Sequence, residues 1–307
     1  MTDSKKYSNK LAGARVLVIG GSSGIGYCVA EASLEFGASV IISSSQRSRI
    51  DFTIDQLLKT YPSAKGRIAG YACDLSSPSV EANIEKLFEQ CGEPKFDHIV
   101  HTAGDSLAML KLEDATLESI QKAAMVRFNS PILLAKHAPK CLNPGPASSI
   151  TLTTGSVSRK PNKDWSIVAG YASGLHGMMR NLALDLAPVS HLFDPSFPFS
   201  SYSGGRRPFP PPETCLLTLE PSSKRITDSE TIQIRVNLIS PGAVLTPLWD
   251  GMTKDKMESL MEHMKGKSTT GEIGRPEDVA ESYLYVMRDW NVSGSVIDTN
   301  GGFLLTP

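Results

Sequence analysis

The sequence predicts an α/β fold, a single doubly wound domain on a seven-stranded, mostly parallel sheet. Short β-branched runs alternate with longer amphipathic stretches along the 307-residue chain. The strand candidates are continuously apolar, as in a parallel sheet covered on both faces. No repeat or composition shift marks a second domain, and this length suffices for one large core.

The elements follow in order. "ARVLVIG" reads as a buried strand and "GIGYCVAEASLEFG" as the helix after it, ending at Gly37. "SVIISSS", "RIAGYACDL", "FDHIVHTAG" and "SSITLTTGS" read as the second to fifth strands, "IRVNLISPG" as the sixth and "GSVIDTNGG" as the seventh. "SPILLAKHAPKCL" and "LHGMMRNLALDLA" are helical, and "RPEDVAESYLYVM" reads as a capped, amphipathic structural helix. In such a fold ligands bind beyond the carboxyl ends of the strands.

The segment 189–233 breaks this rhythm. It spans 45 residues, holds seven of the chain's twenty prolines and shows no sustained period. A structureless loop of that length is foreign to a compact domain. The domain is therefore read as 11–305 interrupted by 189–233. That segment is either a disordered surface insertion or a translated intron. Val189-Ser190 is encodable as GTGAGT, Gln233 as CAG, and Thr227-Asp228 as the branch-like ACTGAC. The segment is a whole number of codons, so retention keeps the frame.

Composition excludes several classes. Net charge is −1, with no basic tract, so nucleic acid is not an expected partner. The polar start "MTDSKKYSNK" is not a secretory signal, and no run nears the roughly 18 apolar residues of a membrane span. The five cysteines are scattered, without metal-ligand spacing, as expected of reduced thiols in the cytoplasm.

"VIGGSSGIG" follows the first strand and opens a helix, with Gly20, Gly24 and Gly26 spaced G-x-x-x-G-x-G. Such glycines allow a tight turn and close backbone approach, and the helix amides then face a pyrophosphate. Ser22, Ser23 and Ile25 share this loop and are candidate contacts. The second strand ends "SSSQRSR", without the acidic residue that would bind a ribose 2′-hydroxyl. Ser44, Ser45 and Arg47 instead suit a 2′-phosphate, which points to NADP(H). The alternative for Arg47 is a solvated loop charge.

With these stretches the chain resembles the short-chain dehydrogenase/reductase family of Rossmann enzymes. The resemblance implies that Asp74 of "CDL" sits beside adenine, and that Ala103 and Gly104 of "HTAGD" match the family's N-N-A-G strand end. It implies that Val244 and Thr246 of "SPGAVLTP" meet the nicotinamide carboxamide. It also implies a soluble homo-oligomer acting on a small molecule.

The family's usual machinery is an asparagine, a serine, and a tyrosine followed one turn later by a lysine. The phenol donates a proton and the lysine lowers its pKa. Here Arg127 stands at the asparagine position. Gly155 stands nearest the serine position, with Ser156 one residue late. Tyr171 is present, but Leu175 replaces the lysine. An unassisted tyrosine, with a pKa of about 10, is a poor acid at neutral pH. Arg127 is the candidate replacement cation; its alternative is a surface ion pair.

These departures resemble a narrower fungal group, the reductase-like proteins of prenylated indole alkaloid clusters, which include reductase/Diels–Alderases. Their lid carries P-D-P-G-W with a functional aspartate. Here Pro161 and Trp165 match, Asn162 holds the aspartate position, and Asp164 is the candidate carboxylate two residues on. Trp165 is expected to stack on a planar ligand, or otherwise to pack on the domain. The resemblance implies NADPH-dependent reduction of an iminium-type, hydrophobic polycyclic or aromatic intermediate of secondary metabolism. A non-redox cyclase or isomerase, or a non-catalytic nucleotide-binding protein, are the alternatives.

Overall fold

The computed structural model describes residues 6–187 and 233–307. The insertion expected at 189–233 therefore lies, but for Gln233, outside the described residues. Strand β1 (Arg15–Ile19) leads through the glycine loop into α1 (Gly24–Glu35), followed by β2 (Ser39–Ser44), α2 (Arg47–Thr60), β3 (Ile68–Ala72), α3 (Val80–Cys91) and β4 (His98–His101). The second half runs α4 (Leu117–Ala124), α5 (Ser130–Cys141), β5 (Ser149–Thr153), α6 (Ser166–Asp185), β6 (Arg235–Pro241), α7 (Lys254–Gly266), α8 (Pro276–Arg288) and β7 (Val296–Thr299).

The sheet order is β3-β2-β1-β4-β5-β6-β7, and every pair is parallel. Strand order reverses between β1 and β4, which opens a crevice at their carboxyl ends. The apolar strands are buried on both faces. In β1, Leu17 and Ile19 join the core beneath α3, α5 and α6, while Val16 and Val18 join the core beneath α1, α2 and α8. Period-two side-chain alternation thus feeds two cores at once. The predicted structural helix is α8, whose Val279, Tyr283 and Met287 are buried. No capping side chain holds its start; Pro276 stands there, and Arg275 pairs with Asp278 at 3.0 Å. Among the described residues, no helix is long and apolar enough to cross a membrane.

Between α4 and α5 the chain makes one π-helical turn, Met125–Asn129. The wider turn carries one extra residue and sets Arg127 against the β4 end.

Candidate active site

A cavity of about 920 Å³ opens at the carboxyl ends of the strands, the size of a ligand site. One half is built by the β1–α1 loop. Gly20 has φ +90°, and a Cβ there would lie 2.5 Å from the Ala103 nitrogen, so only glycine fits. Ser22, Ser23, Gly24 and Ile25 line the wall at the α1 N-terminus, whose first turn holds no acidic residue. That polarity suits a phosphate. The Ser22 hydroxyl donates to Ser44 Oγ at 2.9 Å, which ties the loop to the β2 tip. Ser45 and Asp74 complete this half. Asp74 is held by bonds to its Oδ1 from the Ser76 N–H (2.9 Å) and hydroxyl (2.7 Å).

Arg47 departs from the expectation. It is the first residue of α2, so Asp51 lies one turn along the same face. Its Nε and Nη2 engage Asp51 at 3.1 and 2.6 Å, and its Nη1 donates to the Gly70 carbonyl at 2.8 Å. It does not line the cavity; Arg49, two residues on and facing the other way, does. The helix start decided which arginine faces inward, and "SSSQRSR" does not announce it.

The other half centres on Arg127, which lies flat against the backbone of Gly104. A Cβ on Gly104 would sit 2.5–2.6 Å from the guanidinium, so glycine makes room for it. Nη2 donates to the Asp105 carbonyl, and Nε lies 3.2 Å from Asp105 Oδ1. That approach is misaligned for a hydrogen bond and leaves both atoms buried without another partner, but the charge attraction remains. Burial pushes the Asp105 carboxyl up and the Arg127 guanidinium down, each opposed by the other's charge. No protein partner engages Nη1 among the described residues. Asp105 is a site residue that sequence reasoning passed over, although it closes the quoted "HTAGD".

Tyr171 and Ser156 both line the cavity. The Tyr171 hydroxyl donates to the Ile120 carbonyl at 2.5 Å, and its ring packs on Phe128 at 5.4 Å. Burial raises its pKa. Leu175 also reaches the wall but is 3 % exposed and belongs to the core. No lysine lines the cavity among the described residues.

The lid expectation divides. Asn162 and Trp165 line the cavity. Asp164 does not; it is exposed, with φ +66°. The left-handed turn at Asp164 brings the chain round into α6 and points its carboxylate elsewhere. Across the cavity stand Val244, Thr246, Trp249 and Met264. Trp249 is fixed by its indole N–H to the Val244 carbonyl at 2.9 Å.

The sequence matches the SDR-like Rossmann domain over residues 7–197 and 223–306. It is 41% identical over 305 residues to the short-chain dehydrogenase/reductase fsr5 of Gibberella fujikuroi, covering 98% of each chain. It is 36% identical to the short-chain dehydrogenase/reductase malC of Malbranchea aurantiaca over 309 residues, 99% of this chain and 100% of that one. The structure of the MalC reductase/Diels–Alderase superposes with a TM-score of 0.78, covering 97% of this chain and 99% of that chain. A small-chain dehydrogenase in complex with NADPH, 23% identical, shares the fold at a TM-score of 0.65 over 95% of this chain and 99% of that one.

Proposed function

The chain belongs to the short-chain dehydrogenase/reductase family, and from that premise we propose that it is an NADP(H)-dependent reductase-like enzyme of fungal-type secondary metabolism. Its substrate is a hydrophobic polycyclic or aromatic small molecule carrying an iminium or a similarly activated carbon. One arrangement carries this reading: Arg127 lines the cavity and its Nη1 has no protein partner among the described residues, while the Tyr171 proton is committed to Ile120 and Leu175 stands where a lysine would be.

The cradle fits a dinucleotide. Gly20 admits close backbone approach, the α1 N-terminus faces a pyrophosphate, and Ser44, Ser45 and Arg49 suit a 2′-phosphate. The nicotinamide, when bound, supplies a hydride. This chain's residues then have limited work. An iminium carbon is already electrophilic, so no phenol has to donate a proton. Arg127 holds an oxygen of the cofactor or substrate through Nη1 as a fixed charge-assisted donor. Trp165 and Trp249 present apolar faces to a planar ligand and exclude water. The same features support a second reading, a non-redox cyclase in which the cofactor shapes the pocket, because the MalC protein is described as a reductase/Diels–Alderase.

Loss of NADPH absorbance with a panel of cyclic iminium compounds and matched ketones tests the proposal. Iminium-dependent oxidation without ketone reduction is expected. Ring-closed product without NADPH loss selects the cyclase. Ketone reduction at ordinary rates overturns the account of Tyr171.

A further inference from the structure

Lys160 stands two residues before Asn162 and five before Trp165, on the stretch that walls the substrate half. Its ammonium donates to the Phe303 and Thr306 carbonyls at 2.9 and 2.7 Å, with Thr306 Oγ1 at 3.1 Å and the Pro307 carbonyl at 3.3 Å. It also lies 4.3 Å from the centre of the Phe303 ring. Phe303 is buried and opens a 3-10 turn, Phe303–Leu305. The ammonium thus meets carbonyls in and just beyond that turn, where a cation is favoured.

The same segment is tied on its other side. The Thr306 hydroxyl donates to the Lys267 carbonyl at 2.6 Å. Lys267 caps α7, the helix that brings Met264 to the cavity. Just beyond, the Thr269 N–H and Ser268 hydroxyl hold the Gly301 carbonyl at 2.8 and 2.9 Å. None of these contacts touches the glycine loop, Ser44 or Arg49.

We propose that Lys160 is a positioning residue for the substrate half of the cavity. Through residues 303–307 it couples the wall that carries Asn162 and Trp165 to the wall that carries Met264, and so sets the width of the ligand space between them. Its part in catalysis rests on the reductase reading above, but the coupling itself does not. Three N–H groups meet four acceptors from one short segment, so losing the ammonium releases every Lys160 bond to residues 303–307, while the neighbouring Arg159–Asp298 ion pair remains. The cofactor half has its own supports and stays in place.

Hydrogen–deuterium exchange on the full chain, with NADPH titration alongside, tests the coupling. In Lys160→Met, the non-proline amides at 160–168 and 303–306 are expected to exchange about tenfold faster, as losing charge-assisted bonds predicts. Amides at 15–26 and the NADPH affinity should be unchanged. Lys160→Arg should restore protection. Thr306→Val should loosen 258–268 while 160–165 stays held through the Thr306 carbonyl. With 3,4-dihydroisoquinoline as probe, Lys160→Met should raise KM more than it lowers kcat. Unchanged exchange at 160–168, or equal acceleration at 15–26, overturns the proposal. A wild-type protein that does not oxidise NADPH with this probe counts against the iminium reading, while the exchange result still decides the coupling.

Discussion

The backbone N–H of Ile234 donates to the carbonyl of Leu186 at 3.0 Å. Residues on either side of the 189–233 segment therefore meet directly. If that segment were excised, Ile234 would stand three residues after Leu186, and an N–H to carbonyl bond at that spacing closes a β-turn. The next residue, Arg235, is buried, with its guanidinium on the Pro146 and Val286 carbonyls, both at 2.6 Å, so β6 is anchored at its start.

We therefore expect a variant lacking 189–233 to keep its fold and its NADPH affinity. Shortening the connection removes loop-closure entropy on the order of 2 kcal/mol, so its midpoint in urea should be equal or higher. Loss of cooperative unfolding in the deletion variant would show that the segment belongs to the domain. The intron proposal has its own test: it fails if mature transcripts uniformly retain these codons.

The nucleotide preference should depend on Arg49. Arg49→Ala is expected to weaken NADPH binding by about 1.5–3 kcal/mol, a charge-assisted phosphate bond, and to leave NADH nearly unaffected. Arg47→Ala should change either affinity little, because Arg47 is engaged by Asp51 and Gly70. Calorimetry with both nucleotides decides; a larger effect at Arg47 would reverse the assignment.

Arg127→Ala should lower turnover far more than Tyr171→Phe. It also leaves the half-buried Asp105 without its cation, at a cost of about 1–2 kcal/mol. Arg127→Ala combined with Asp105→Asn should recover much of that stability without recovering activity, as urea unfolding and NADPH oxidation would show. Tyr171→Phe loses one bond to Ile120, on the order of 1 kcal/mol. Abolished activity in Tyr171→Phe, with Arg127→Ala silent, would give the acid role back to the tyrosine.

Stability should fall as the pH drops from about 6.5 toward 4. His98 and His101 are fully enclosed, and burial pushes them down to about 3 and about 4 from an ordinary 6.5. In that window the unfolded chain takes up protons that the folded one refuses, so each histidine costs about 2 kcal/mol at pH 5 and about 3 kcal/mol near pH 4. His176, also lowered by burial, acts in the same direction. Urea midpoints across this range should shift less in His101→Asn than in the parent chain. A flat profile in the parent would mean that both histidines already carry a proton in the fold.

The order of strands and helices, the two-faced sheet and the glycine loop were legible in the sequence, because apolar periodicity and glycine spacing are local records of burial and backbone shape. The helices α4 and α7 bury almost no side chain and leave little apolar period to read, whereas α2 and α3 carry one at Ile50 and Leu57 and at Ile84, Leu87 and Phe88. The loss of the lysine at Leu175 was also plain, because a leucine cannot carry the charge that the usual proton transfer needs. Only the tertiary structure decided where the charges point. Arg47 turns to Asp51 because α2 begins where it does, and Arg49 reaches the cavity instead. Asp164 is carried outward by a left-handed turn while Asn162 lines the wall. Arg127 meets Asp105 because a π-turn and a glycine, distant in sequence, leave room for the guanidinium. A side chain's direction at a loop or helix end depends on long-range contacts, and these are absent from any local pattern.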